Sequence, residues 1–335
     1  MQLLIIKENE AGQRLDKYLH KYLKEAPNSF LYKMLRKKNI VLNGKKASGN
    51  EKLIIGDEIR LFFSEETLEK MKGKGSEIPE SLDRQYKDYK KAYEAYGKLP
   101  VIYEDHHVLI VNKPAGLLTQ KAHPEDLSLN EWFIGYLLMH GEITKEELHT
   151  FRPSVCNRLD RNTSGMVICG KTIAGSQKMS ELLKDRSLHK YYRLYVKGKI
   201  VHATLIEGYL TKDEKKNKVV VTKRPNGAES SFIKTKYEPL KVIGDKTLLE
   251  VELITGKTHQ IRAHLASIGH PLLGDYKYGD RKFNDNYKKK YKVESQLLHA
   301  HRLEFPVLTG EFEAISEKKL IAEEPPIFHL IEDDL

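Results

Sequence analysis

Two carboxylates of this 335-residue chain sit in the same tripeptide, Arg-Leu-Asp, at residues 14–16 and 158–160. A carboxylate flanked by guanidinium groups stays ionised, so it can act as a nucleophile or base but is a poor general acid at neutral pH. Asp160 has that setting, between Arg158 and Arg161 in the string NRLDRNTSGMVICGK from Asn157 to Lys171. The lead-in RPSVC has no helical period, RNTSG is rich in turn residues, and MVICG is a short apolar run of buried-strand type. Asp160 is therefore expected on a loop at the edge of a sheet, where a rigid scaffold often displays reactive groups. An Asp that merely caps a turn and pairs with Arg has the same local features, and spacing alone favours that plainer role.

Other reactive residue types give less. His259, His264 and His270 are five and six apart, which is not a helical HxxxH pair, and no neighbouring Cys or carboxylate cluster completes a metal set. They are expected to be hydrogen-bonding residues. The two cysteines, Cys156 and Cys169, lack CxxC spacing, which argues against a disulfide scaffold or a zinc ribbon. The N-terminal apolar run is too brief for a signal peptide, and no 18-residue apolar stretch occurs, so a reduced, cytoplasmic protein without a membrane span is expected.

The elements that would carry these residues divide by charge. The chain has a net charge of +10, and residues 1–63 hold 13 Lys and Arg against 7 Asp and Glu. Residues 64–98 are balanced at 8 against 8, and the remainder, 99–335, holds 36 against 32. The pattern predicts a small basic module, a charged connector and a larger, nearly neutral domain, with an anionic partner for the first. Leu15, Tyr18, Leu19, Tyr22 and Leu23 recur at helical spacing. Pro27 and Asn28 break that helix, and a second starts from Ser29 as N-cap. Its outer face carries Lys33, Arg36, Lys37 and Lys38. A short strand, an Asn-Gly turn and a second strand introduced by Gly-Asp follow. Asp16 then lies one turn into an amphipathic helix, where a carboxylate serves the helix N-terminus or a local ion pair. The first Arg-Leu-Asp is structural.

After the break MKGKGSEIP, Leu82, Tyr86, Tyr89, Tyr93 and Tyr96 step by 4, 3, 4 and 3, with Gly97 as a stop signal. This predicts a helix of four to five turns with one apolar stripe. Tyrosines can stack on RNA bases, but so regular a stripe favours packing against the next domain.

The layout of residues 12–62 resembles the RNA-binding domain first known from the fourth small-subunit ribosomal protein. That resemblance implies phosphate contacts from Arg14, Lys17, Lys33, Arg36 and Lys37. The string around Asp160 resembles the signature of the RluA-type RNA pseudouridine synthases, with its Arg-Leu-Asp-Arg-x-Thr-Ser-Gly core. Further similarity to that family lies in EDHHVLIVNKPAGLLT (Glu104 to Thr119), with its Lys-Pro-x-Gly turn, and in the Lys-x-Tyr strand HKYYRLYVKG (His189 to Gly198). It continues in ELITGKTHQIRAHLASIGHPLLGDYKYG (Glu252 to Gly279) and LLHAHRLEFP, so that it spans about residues 99–315 in the family's order. GDRKFN after Tyr278 is similar to the RluC-like branch, which acts on large-subunit ribosomal RNA. The family core often has His and a second Asp where this chain has Asn157 and Asn162; both keep hydrogen-bonding capacity, so altered loop contacts are expected.

The resemblance implies an α+β fold with a mixed, largely antiparallel catalytic sheet and a small helical N-terminal RNA-binding domain. It implies isomerisation of uridine to pseudouridine within RNA, with no cofactor and no metal. One carboxylate suffices, and a glycosidase-type carboxylate pair is not evident. Asp160 would be that carboxylate. Tyr192 would stack on the uracil or help remove its C5 proton, leaving Tyr191 for the core. Arg262 would pair with Asp160, lowering its pKa, and the connection from strand 248–253 to helix 259–268 would bring the two together. Arg158 would fill the gap left by the extruded nucleotide. Transfer RNA is the alternative substrate, and a non-catalytic ribosome-assembly factor the alternative class; the presence of Asp160, Tyr192 and Arg262 together speaks for the enzyme.

Overall fold

The computed structural model describes residues 1–72, 80–145, 147–213, 218–227 and 229–333. The basic N-terminal segment folds as a four-stranded antiparallel sheet in the order β1-β4-β2-β3. Its strands are β1 (Gln2–Ile5), β2 (Ile40–Leu42), β3 (Lys45–Lys46) and β4 (Glu58–Leu61). The apolar faces of α1 (Leu15–Tyr22) and α2 (Asn28–Arg36) close it, burying Leu15, Leu19, Leu31 and Leu35 against Ile40 and Ile59. Asn43 and Gly44 turn between β2 and β3 with φ of 50° and 72°, the pair of positive values that a tight hairpin requires. The second helix begins at Asn28, ahead of the expected Ser29 cap. Pro27 takes the cap position with φ −60°, and its carbonyl accepts from the Phe30 and Leu31 amides. A ring that presets φ replaces the side-chain cap. Strand β1 was not foreseen; its alternate residues stay exposed, and pairing with β4 alone makes it a strand.

After α3 (Glu65–Lys72), the tyrosine-striped helix α4 (Glu80–Tyr96) lies along α5 (Leu129–Met139). Tyr89 and Ala92 are buried there, and Tyr93 packs on Trp132 and Tyr136. The Leu82 side chain lies outside the described residues. Gly135 makes the close approach possible, because a Cβ on it would stand 2.3 Å from the Tyr89 carbonyl oxygen. The middle of the stripe is thus covered by the following domain, as its regularity suggested, while Tyr96 at its end stays exposed.

That domain is built on an 11-stranded sheet. Its strands are β5 (Val101–Glu104), β6 (Val108–Lys113), β7 (Ser154–Val155), β8 (Ser164–Gly170), β9 (His189–Lys197), β10 (Thr204–Asp213), β11 (Lys218–Thr222), β12 (Ser231–Ile243), β13 (Lys246–Leu253), β14 (Leu298–Glu304) and β15 (Lys319–Ile321). The order is β11-β10-β12-β13-β9-β14-β8-β6-β5, with β7 added on β8 and β15 on β14. Only β8 and β14 pair in parallel among the described strands, so the sheet is mixed and mainly antiparallel. Helices α6 (Ile173–Asp185), α7 (Gln260–Ser267), α8 (Arg281–Tyr291) and α9 (Ile327–Glu332) complete the fold. All seven residues of β8 are buried, as expected of a strand covered on both faces. It is an interior strand, between β14 and β6, so the loop before it does not lie on an edge strand. Gly165 has φ 113°, and a Cβ there would meet the Ala300 backbone at 2.4 Å. Only glycine lets β14 run this close beside the end of the Asp160 loop.

Candidate active site

Asp160 lies on the loop between β7 and β8, and the backbone of that loop is clamped. Lys113, at the end of β6, is fully buried, and its Nζ donates to the carbonyls of Pro114 (3.0 Å), Leu117 (2.8 Å) and Arg161 (3.1 Å). The ammonium thereby stitches the Lys-Pro-x-Gly turn to the residue after Asp160. Burial pushes Lys113 down to about 7, an effect the nearby Asp160 charge opposes. Thr119 Oγ1 donates to the Leu159 carbonyl at 2.8 Å and accepts from the Leu159 amide at 3.2 Å. Asn157, where the family often has His, accepts from the Ile168 amide at 2.7 Å and so fixes the start of the loop to β8.

The guanidinium that touches Asp160 belongs to neither sequence neighbour. Leu159 points into the core, Arg158 is exposed, and Arg161 Nε donates to the Gly116 carbonyl at 3.2 Å. Successive side chains of a tight loop diverge, so adjacency in sequence does not become contact. Arg262, on α7, donates from Nη1 to Asp160 Oδ2 at 2.9 Å. The rest of its fork is held by Asp275, with Nε to Oδ2 at 2.7 Å and Nη2 to Oδ1 at 3.0 Å. Asp275 is buried and also accepts from the Lys277 and Tyr278 amides at 2.9 and 3.0 Å. The Arg262 guanidinium and these amides hold its carboxyl below the usual range, outweighing the cost of burial, which is the largest single effect on it. Arg262 is therefore fixed from behind and presents one N–H to Asp160.

His259 caps α7 in a left-handed conformation (φ 54°), with Nε2 3.7 Å from Asp160 Oδ2. Its Nδ1 is 2.9 Å from the Tyr278 hydroxyl, which also accepts from the Val219 amide at 3.0 Å. Burial lowers the His259 pKa, partly offset by the Asp160 charge. His264 and His270 bond elsewhere, to Thr235 Oγ1 at 2.9 Å and the Lys197 carbonyl at 3.0 Å. Among the described residues no group of three or more His, Cys, Asp or Glu is placed to hold a metal ion.

Asp160 and Tyr192 line one cleft of about 770 Å³, together with Thr119, Arg158, Lys190 and His259. Tyr192 is 6% exposed; burial, and then the Asp160 charge, raise its phenol well above the ordinary value. At neutral pH it offers the cleft a ring and a protonated hydroxyl. Tyr191, the residue considered for the core, faces the opposite side of β9. There Arg302 lies 3.7 Å from its ring centre and Glu304 accepts from its hydroxyl at 3.3 Å. Neighbours on a strand must face opposite ways, and the more buried of the two is Tyr192.

Arg14, Lys17, Lys33, Arg36 and Lys37 are exposed on the N-terminal unit, and none lines this cleft. Arg14 is already engaged, with Nη2 2.6 Å from Asp16 Oδ2. Asp16 also accepts from the Tyr32 hydroxyl at 2.9 Å and from the Lys17 amide at 2.8 Å, which is the local structural role expected of it. Sequence reasoning gave no role to Lys113, Thr119, Asp275 or Tyr278. Asp275 and Tyr278 lie in the motif segment ending at Gly279, but a lone Asp in a turn does not announce which arginine it will hold.

A family model described as RNA pseudouridylate synthase matches residues 107–267, from just ahead of β6 to the end of α7. The ribosomal large subunit pseudouridine synthase C of Vibrio cholerae is 31% identical over 341 residues, covering 98% of this chain and 95% of its own. An uncharacterised RNA pseudouridine synthase of Mycoplasma genitalium is 32% identical over 325 residues, covering 96% and 94%. Among solved structures, human RNA pseudouridylate synthase domain containing 4 is similar in fold, with a TM-score of 0.55 at 22% identity over 74% of this chain and 95% of its own. No described helix is long and apolar enough to cross a membrane. Asp160, Tyr192 and Arg262 all fall inside the matched region, and similarity extends along almost the entire length: this chain belongs to the RNA pseudouridylate synthase family.

Proposed function

We propose that the protein converts uridines of large-subunit ribosomal RNA to pseudouridine, with Asp160 as the reacting carboxylate. The observation that carries this is the Asp160 carboxylate, aimed into the cleft by a guanidinium that Asp275 anchors from behind. In the reaction the N1–C1′ bond breaks, the uracil turns in place, and C5 bonds to C1′. The proton lost from C5 balances the one gained at N1, so no redox partner is consumed. A stacked uridine hides C1′, so the base must be extruded into the cleft. Tyr192 gives it a ring to lie against, and Arg262 is a positioning residue for Asp160. Arg158, exposed at the mouth, is free to occupy the space the nucleotide vacates. Residues 1–63 serve as an RNA anchor, through phosphate contacts by Lys17, Lys33, Arg36 and Lys37 and by Arg14 once it releases Asp16. Residues 64–98 are the connector and 99–335 the catalytic domain. Relatives named for the large ribosomal subunit and the excess positive charge of the first 63 residues favour ribosomal RNA as substrate and a cytoplasmic site of action.

The test is conversion of transcribed large-subunit ribosomal RNA by the purified protein, with transfer RNA in parallel. Wild type is expected to convert the former, and Asp160→Asn to bind it with unchanged affinity while forming no pseudouridine. Turnover by the Asn variant near the wild-type rate would remove Asp160 from the chemistry, and preference for transfer RNA would overturn the substrate.

A further inference from the structure

One cation of the cleft has no role in the site as described. Lys190 precedes Tyr192 by two residues on β9, so both side chains project from the same face of the strand, and both line the cleft beside Asp160. Lys190 is half-buried, yet among the described residues no hydrogen bond or ion pair holds its ammonium. Other lysines withdrawn from water here are satisfied. Lys113 has three carbonyls, and Lys171 has Glu104 at 2.8 Å and Glu142 at 2.5 Å. The acids on the flanking strands β13 and β14 and at the end of α6 pair elsewhere. Glu252 is bonded to His189, Glu304 faces Tyr191 across the sheet, and Asp185 accepts from the Ser187 amide and hydroxyl at 2.9 and 2.6 Å.

The surroundings of Lys190 add positive charge. Lys184 and Arg186 line the same cleft, and neither has a carboxylate partner among the described residues. Arg186 ends α6 in a left-handed conformation, φ 68°. Burial, then the Arg186 charge, lower the Lys190 pKa, so the arrangement costs the free protein energy. A half-buried ammonium repelled by its neighbour is stabilised by an anion that fits between them. In a cleft that takes RNA, that anion is a phosphodiester.

We propose that Lys190, supported by Arg186 and Lys184, binds the backbone phosphate adjoining the extruded uridine and thereby sets the depth at which the ribose meets Asp160. The inference rests on the reading of this cleft as the uridine site. It makes Lys190 a substrate-binding residue distinct from the phosphate contacts of the N-terminal unit: those hold the RNA at a distance, and Lys190 registers the target nucleotide.

The experiment uses the full-length protein and a hairpin cut from large-subunit ribosomal RNA around a uridine that wild type converts. In two further versions of the hairpin, the linkage 5′ or 3′ of that uridine is an uncharged methylphosphonate. Conversion of the unmodified hairpin by wild type carries the reading of the site, and the comparison of linkages carries this inference alone. Lys190→Met should lower kcat/KM by roughly ten- to a hundredfold, as expected for a lost bond to a charged group, with Lys190→Arg retaining most of it. The slope of log affinity against log salt should fall by about one. One of the two neutral linkages should depress wild-type kcat/KM by a similar factor and leave Lys190→Met unaffected. A merely structural lysine would not reproduce that coupling. Wild type indifferent to both neutral linkages, which needs no variant to observe, would overturn the proposal. So would a Lys190→Met enzyme that loses as much as wild type to each of them.

Discussion

Replacing Asp275 with Asn alters one atom of a side chain that never meets the cleft, yet it should loosen the site. Asp275 Oδ1 accepts three hydrogen bonds, from Arg262 Nη2 and the Lys277 and Tyr278 amides, and Oδ2 accepts one from Arg262 Nε. An Asn with its oxygen in the Oδ1 position keeps the first three but turns an NH2 toward Nε–H. That leaves a buried donor unsatisfied, at a cost of about 1–3 kcal/mol, and removes the charge that compensates Arg262. Breaking a buried pair outright costs about 3–5 kcal/mol, so a loss near 3 kcal/mol is expected for the isosteric change. A domain of ordinary stability, about 5–15 kcal/mol, survives this folded. Arg262 then has only Asp160 as its anionic partner and is free to tilt. A misplacement of this kind should lower kcat roughly ten- to a hundredfold with RNA affinity little changed. The pH dependence has a definite sign. The native carboxyl is held below its ordinary value of 3.8, so its contribution is present above that value and is lost as pH falls through the depressed one. The variant should lack this acid-side component. Urea unfolding at several pH values and single-turnover conversion of RNA would measure both effects. Stability within about 0.5 kcal/mol of wild type together with unchanged kcat would refute the anchoring argument.

Four further outcomes are expected. Asp16→Asn should leave the single-turnover rate unchanged, because its partners Arg14, Tyr32 and the Lys17 amide all lie in the N-terminal unit; a loss like that of Asp160→Asn would contradict this. Removing the N-terminal unit by a cut in GKGSEIP, which lies outside the described residues, should weaken RNA binding and flatten its salt dependence while the site survives. A cut after Gly97 instead uncovers the surface that Tyr89 and Ala92 bury, and that protein should be poorly soluble. His299 is fully buried, and burial lowers it to about 4 from 6.5. Its neutral ring contributes stability above about pH 6.5 that is lost as pH falls toward about 4, on the order of 3 kcal/mol, and His299→Gln should flatten the unfolding profile in that window.

The sequence by itself determined the elements whose patterns are local. The stripe from Tyr86 to Tyr96 predicts α4 because a helix repeats every 3.6 residues, and MVICG predicts the buried β8 because a strand covered on both faces needs no alternation. The turn residues after Asp160 placed it on a loop, and Asp16 in the first turn of α1 does what a carboxylate there usually does. The pairing of Asp160 with Arg262 came from resemblance to a family, not from local pattern, since 102 residues separate the two. Tertiary structure alone decided that Arg158 and Arg161 leave Asp160, that Asp275 holds Arg262, and that Lys113 is wrapped in carbonyls under the loop. That Tyr192 and not Tyr191 meets the cleft came, like the Asp160–Arg262 pair, from the family resemblance; alternation says only that they face opposite sides. Periodicity records which face of an element avoids water. A buried charge gains its partner from whichever distant segment the fold brings within about 3 Å, and no local pattern records that.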